Sequence, residues 1–155
     1  MSIYMTKQEA AADKAVVFDD MFLTVDMPTT AGSKMLEGYK SLFEAEVLTR
    51  LKAAGYAVAG KTKVGEFGAD LLGETCYFGA EYENETLQYP AALAVNSGDA
   101  KAAVVLDVNG APRRGAAQAG LVALKPTNLR QSIPFRDNSG SMLRRNRKCY
   151  CKKCG

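Results

Sequence analysis

Cys149, Cys151 and Cys154 form a Cys-x-Cys-x-x-Cys run, the densest set of potential metal ligands in this 155-residue chain. Lys148, Lys152 and Lys153 flank the thiols, and neighbouring cations lower thiol pKa values, which favours metal binding or oxidation. A structural zinc site takes four ligands, usually in two separated pairs. Zinc at Cys149, Cys151 and Cys154 would therefore need a fourth ligand from water or a second chain. The other reading is a set of reactive thiols on an exposed tail. A second motif, Gly55 followed by Gly60-Lys61-Thr62, has the spacing of a phosphate loop. Such a loop follows a strand and opens a helix. Here Tyr56–Ala59 itself reads as a strand and Val64-Gly65 starts a helix poorly, so no ATP site is expected. The chain has no His. That excludes Ser-His-Asp and Cys-His catalysis and every imidazole metal site. Acid–base chemistry falls to Lys, Asp, Glu, Tyr and Cys; Ser97 or Cys76 would be the nucleophile, with no Lys identifiable as a base near either.

The elements that would hold these residues are those of an α/β layer protein. Ala-rich Lys7–Lys14 predicts a short helix, and Ala15-Val16-Val17-Phe18 a buried strand running into Asp19-Asp20. Pro28 to Ser33 is a loop by composition. Ser41 to Ala54 is the clearest helix: Ser41 and Glu44 have capping-box spacing, and Phe43, Val47, Leu51 and Ala54 recur at helical spacing. Glu46 can pair with Arg50, and Gly55 sits where a left-handed cap belongs. Tyr56–Ala59, Ala102–Leu106 and Leu121–Leu124 predict strands of one sheet. Pro112 suits a first helical turn, and Gly115 to Ala119 is small-residue helix. Beyond Asn128 the apolar pattern fades, and Asp137 to Arg147 is polar, glycine-containing and basic, the composition of a flexible segment.

Three stretches in this order resemble the amidase signature family, which includes the A subunit of tRNA-dependent amidotransferases. The first is Val16-Val17-Phe18-Asp19-Asp20 with Pro28-Thr29-Thr30-Ala31-Gly32-Ser33, where the family has a strand ending Lys-Asp-Asn and a Thr-Thr-x-x-Ser loop. The second runs from Glu46 through Gly55 to Gly60-Lys61-Thr62 and Glu66-Phe67. The third is Asp107 to Thr127, ending Gly120-Leu121-Val122-Ala123-Leu124-Lys125-Pro126-Thr127. The resemblance implies a partial mixed sheet flanked by helices over residues 1–130, shortened relative to the family, followed by a flexible basic tail over 131–155. It also implies a chemistry. The family cleaves amides with a nucleophilic Ser, a relay Ser and a buried Lys of lowered pKa that accepts the proton. In this chain the Lys position matches Phe18, the nucleophile matches Ala111, and the relay matches Asn96 beside Ser97; Arg113 retains the family's Arg. Phenylalanine cannot take a proton and alanine cannot attack a carbonyl.

Composition bounds the rest. The net charge of +3 hides an asymmetry, because Arg144 to Gly155 carries six Lys or Arg and no acid while all 17 acids lie upstream with 14 bases. The body therefore makes no case for nucleic acid, which is left to the tail. No apolar run reaches membrane-spanning length and no signal peptide is visible, so a cytoplasmic location is expected. The expected role is a catalytically inactive, amidase-like binding or scaffold protein without a cofactor, meeting a protein partner or a second copy through an uncovered sheet edge. A hydrolase of altered mechanism, or a decayed fragment, are the alternatives. A chain ending at Leu143 is expected to unfold near the temperature of the full chain, and the full chain to take up zinc weakly. Stoichiometric zinc in metal analysis, or a large loss of thermal stability on truncation, would make the tail structural.

Overall fold

Every residue of Ala15–Asp19 (β2) is buried, as a five-residue run with four successive apolar side chains demands. A strand buried on both faces needs partners on both edges, and β2 has them: Ala57–Thr62 (β3) on one side and Ala102–Leu106 (β4) on the other, both parallel to it. The computed structural model describes residues 2–69, 74–79 and 89–125, and the backbone of 140–144. Within it, Tyr4–Lys7 (β1) adds antiparallel to the outer side of β3. Beyond β4 lie Gly140–Arg144 (β6) and then Val122–Leu124 (β5), each antiparallel to its neighbour. The six-stranded order is β1-β3-β2-β4-β6-β5.

Side chains alternate across β2 and thereby divide the core. Ala15 and Val17 join Ala91, Ala94, Val95, Ala103, Val105 and Ala116, beneath helices Pro90–Ser97 (α2) and Ala111–Gln118 (α3). Val16 and Phe18 join Phe22, Leu48 and Val104 on the opposite face, beneath helix Glu46–Ala53 (α1). The connection leaving β2 thus runs over one face, through α1, and the one leaving β4 runs over the other, through α3. In open α/β sheets the crevice outside the carboxyl ends of two such strands is where ligands gather.

The predicted strands do share one sheet, but several boundaries move. No helix forms over Lys7–Lys14; Lys7 closes the edge strand Tyr4–Lys7 instead, and a helix of so few residues is marginal whatever its propensity. α1 begins at Glu46 rather than Ser41, because the capping box is not built. Ser41 Oγ accepts from Phe43 N at 3.1 Å, and the Glu44 carboxylate pairs with Lys52 at 2.5 Å instead of turning back to a free N–H. Phe43 therefore precedes the helix and is exposed, while Leu48 is the fully buried residue of α1. Glu46 and Arg50 pair as expected, and Gly55 takes the left-handed φ of +82°. β3 runs on through Thr62, α3 begins at Ala111 with Pro112 in its first turn as expected, and α2 was not anticipated. Residues 140–144, expected within the flexible segment, form the strand that joins β5 to the sheet. Among the described residues no helix is long and apolar enough to cross a membrane.

α2 and α3 meet at Gly115, where an added Cβ would lie 2.4 Å from the Tyr89 Cβ and 3.0 Å from its backbone N. Helix propensity alone favours Ala over Gly by about 1 kcal/mol, but forcing atoms into a filled contact costs about 1–3 kcal/mol. Gly115→Ala is therefore expected to lower stability in urea unfolding; an increase would show that the two helices separate freely.

Candidate functional site

β2 ends in two adjacent carboxylates that point to opposite faces of the sheet, and both are fully buried. Asp20 lies on the α1 face. Its Oδ1 pairs with Lys61 Nζ at 2.9 Å, and its Oδ2 accepts from Thr30 N at 2.9 Å and Thr30 Oγ1 at 2.5 Å. Lys61 has no exposed side-chain surface; its ammonium also donates to Pro28 O at 2.9 Å and Thr29 Oγ1 at 2.6 Å. The ammonium is thus held by two hydrogen bonds and one ion pair. Burial pulls the Lys61 pKa down, and Asp20 opposes the shift. The Gly60-Lys61-Thr62 motif is thus a strand segment whose lysine fastens the Pro28–Thr30 loop to the sheet, and not a phosphate loop.

Asp19 lies on the other face. Its Oδ2 accepts from Tyr89 Oη at 2.7 Å and Leu106 N at 2.9 Å, and its Oδ1 from Thr62 Oγ1 at 3.2 Å. Burial pushes its pKa up to about 7, against the pull of those three donors and with a further push from Asp20. Asp19 sits at the base of a narrow pocket at the carboxyl ends of β2 and β4, whose walls include Met21, Tyr89, Leu106, Asn109 and Ala111. The space inside is about 10 Å³, roughly enough for one water. The described residues lining it include no Ser, Thr, Cys or Lys.

The turn that delivers Ala111 to this pocket is closely bonded. Gly110 N donates to Asp107 Oδ1 at 2.8 Å and Ala111 N to Asn109 Oδ1 at 3.0 Å. Arg113 pairs with the buried Asp107 carboxylate, and Lys125 Nζ donates to Asp107 O at 2.6 Å. Gly110 takes a φ of +87°, which turns the chain from the end of β4 into α3.

Of the positions matched to catalytic groups, the structure brings only Ala111 to the pocket. Phe18 is fully buried on the α1 face, packed edge-to-face on Phe22 with ring centres 5.7 Å apart. Lys61 is its neighbour across the β2–β3 register, but it is sealed in its own bonds and cannot serve the pocket on the other face. Asn96 and Ser97 are exposed near the end of α2, by the start of β4 and therefore at the opposite end of the strands. Ser97 Oγ donates to Ala94 O at 3.1 Å. Cys76 is buried, and Cys149, Cys151 and Cys154 lie outside the described residues. Sequence reasoning missed the polar centre itself. The paired acids closing a buried strand were its signal, while nothing near Tyr89 marked that residue as Asp19's partner.

Comparison with known proteins agrees with this geometry. Residues 15–85 match the family model described as Amidase. The A subunit of the glutamyl-tRNA(Gln) amidotransferase from Halobacterium salinarum is 40% identical over 119 residues, covering 72% of this chain and 28% of that protein. Its counterpart from Corynebacterium glutamicum is 35% identical over 125 residues, covering 76% and 25%. Among solved structures, 6-aminohexanoate cyclic dimer hydrolase superposes with a TM-score of 0.75 at 25% identity over 84% of this chain and 31% of its own. The A subunit of the Thermotoga maritima amidotransferase superposes with 0.63 at 26% identity, over 77% and 30%. The chain spans about a quarter of the length of the curated relatives it matches.

A carboxyl with a raised folded-state pKa holds its proton at pH values where the unfolded chain, with a pKa of about 4, has lost it. Asp19 should therefore make the protein less stable as pH rises from about 4 to about 7. Asp19→Asn removes that dependence. Stability of the native protein relative to the variant, from urea midpoints across this range, is expected to fall with rising pH. A difference that is flat or rises would show that Asp19 is not held protonated by burial.

Proposed function

Because this chain is amidase-related, carrying family sequence in residues 15–85 on an amidase-type sheet, we propose that it is a binding or scaffold protein that has kept the family's framework without its amide hydrolysis. The observation that carries this reading is the pocket at the strand ends. Its described walls hold no Ser, Thr, Cys or Lys, and Ala111 occupies the matched nucleophile position. A carbonyl placed there would meet the Ala111 methyl group at the matched nucleophile position. Asp19 offers a proton-transfer group, yet its oxygens are taken by Tyr89, Leu106 and Thr62, and the space above it is too small for an amide substrate. Phe18 adds a second obstacle, since its ring fills the α1-face core where the matched lysine would stand.

A binding role needs a surface. β5 is the outermost described strand on its side of the sheet, and Val122 and Leu124 are 46% and 62% exposed. An edge with exposed apolar side chains is a template for another strand, so a protein partner or a second copy is the occupant this reading assigns to it. Hydrolysis by an altered route would rest on Ser97, which is exposed but has no basic side chain among its described hydrogen-bond partners.

The purified protein is expected to release no ammonia from glutamine or simple amides, to leave a fluorophosphonate probe unreacted, and to retain a defined complex on affinity capture. Amide turnover abolished by Ser97→Ala would overturn the reading.

A further inference from the structure

A groove much larger than the strand-end pocket lies at the opposite end of the sheet, on the α1 face, with a volume of about 250 Å³. Met27, Leu48 and Val58 supply an apolar floor, and Glu9, Asp26 and Glu44 an acidic rim. Lys52 is the one cation of the rim among the described residues, its ammonium 3.2 Å from Asp26 and 2.5 Å from Glu44. Three carboxylates against one ammonium leave the rim at −2, and Glu9 is exposed with no ion-pair partner among the described residues. Such a groove fits a ligand with several cations and an apolar group between them.

We propose that its occupant is the chain's own basic segment, residues 144–155. Charge selects it: the segment carries six Lys or Arg and no acid, and Tyr150 adds one aromatic ring, while all 17 acids of the protein lie upstream. Register brings it within reach. Arg144, the last residue of β6, pairs with Ala102; Ala102 pairs with Val16, and Val16 with Val58 on the groove floor. Three strand steps of about 4.8 Å separate Arg144 from Val58, about 14 Å in all. The eleven residues that follow Arg144 can span up to about 36 Å. β6 is antiparallel to β4, so the segment departs from the end of the sheet at which β3 and β4 begin. That is the end where Ala57 lines the groove and α1 delivers Lys52.

The test reads the segment's three thiols in the full-length protein. Alkylation of Cys149, Cys151 and Cys154 is followed by mass spectrometry of the C-terminal peptide, with chelator and reductant present. The rates are divided by those of a free 144–155 peptide in the same buffer, so that salt effects on thiol reactivity cancel. Two exposed ion pairs, to Glu9 and Asp26, correspond to about fivefold slower alkylation at low salt. This protection should vanish at high salt and in the Glu9→Lys/Asp26→Lys double variant, whose substituted side chains are exposed and whose fold is checked by its unfolding midpoint. It should also be independent of protein concentration. A wild-type ratio near one, or protection unchanged in the double variant, would overturn the proposal. So would protection that grows with concentration, since the segment would then be binding a second copy.

Discussion

Burying two neighbouring carboxylates is the constraint around which the body of this protein is arranged. An unpaired buried charge is one of the most costly features a fold can carry, and β2 presents Asp19 and Asp20 to opposite faces within a single step of chain. The two are answered differently. Asp20 receives a buried ammonium, and Lys61 joins β3 to the Pro28–Thr30 loop in doing so. Asp19 receives neutral donors from α2, β3 and β4, and burial raises its pKa to about 7. Removing one partner of a buried ion pair typically costs about 3–5 kcal/mol, a large share of a small domain's stability. The loop and the sheet therefore stand or fall together.

The same arrangement shows that the framework does not depend on a lysine at position 18 or a serine at position 111. Phe18 contributes its whole ring to the cluster with Val16, Phe22, Leu48 and Val104. Ala111 needs only to be small, at the turn where Asp107, Asn109 and Gly110 lead into α3. Neither residue breaks a hydrogen bond that the fold requires. The groups that do hold the structure, Asp19, Asp20, Lys61 and Thr62, also lie within the stretches that carry the family resemblance. Sequence likeness over this region accordingly reports on architecture more directly than on activity.

How much of this could be read in advance depended on whether a signal was local. β2, β4 and the Gly55 cap were legible because an unbroken apolar run, or a glycine after a periodic segment, states its own structure. The start of α1 was misplaced because the capping box was judged on spacing alone, while Glu44 had a better partner in Lys52 across the helix. β1 was missed because an edge strand is stabilised by a neighbour that its own residues do not announce. Lys61 was rightly kept out of a phosphate loop, but its ion pair was not legible, since the residues beside it that matter, Asp20 and Thr29, are remote in sequence. Asn96 and Ser97 fell at the wrong end of the strands because α2, with Pro90 at its start and Gly98 at its close, went unrecognised.

The position of β6 between β4 and β5 also sets an order of events for the growing chain. β5 touches the sheet only through β6, although β6 is made later. When Val122–Leu124 leaves the ribosome, the outer edge of β4 is still open and β5 has no strand to pair with. Both wait until residue 144 has emerged and the ends of the intervening chain have been brought together, a step whose entropy must be met before any ladder bond returns it. The parallel trio β2, β3 and β4 can assemble before that moment, and its bare β4 edge is then the surface most open to misassociation with another nascent chain. Of the described strands, the latest in chain order is thus also the one that joins β5 to the sheet.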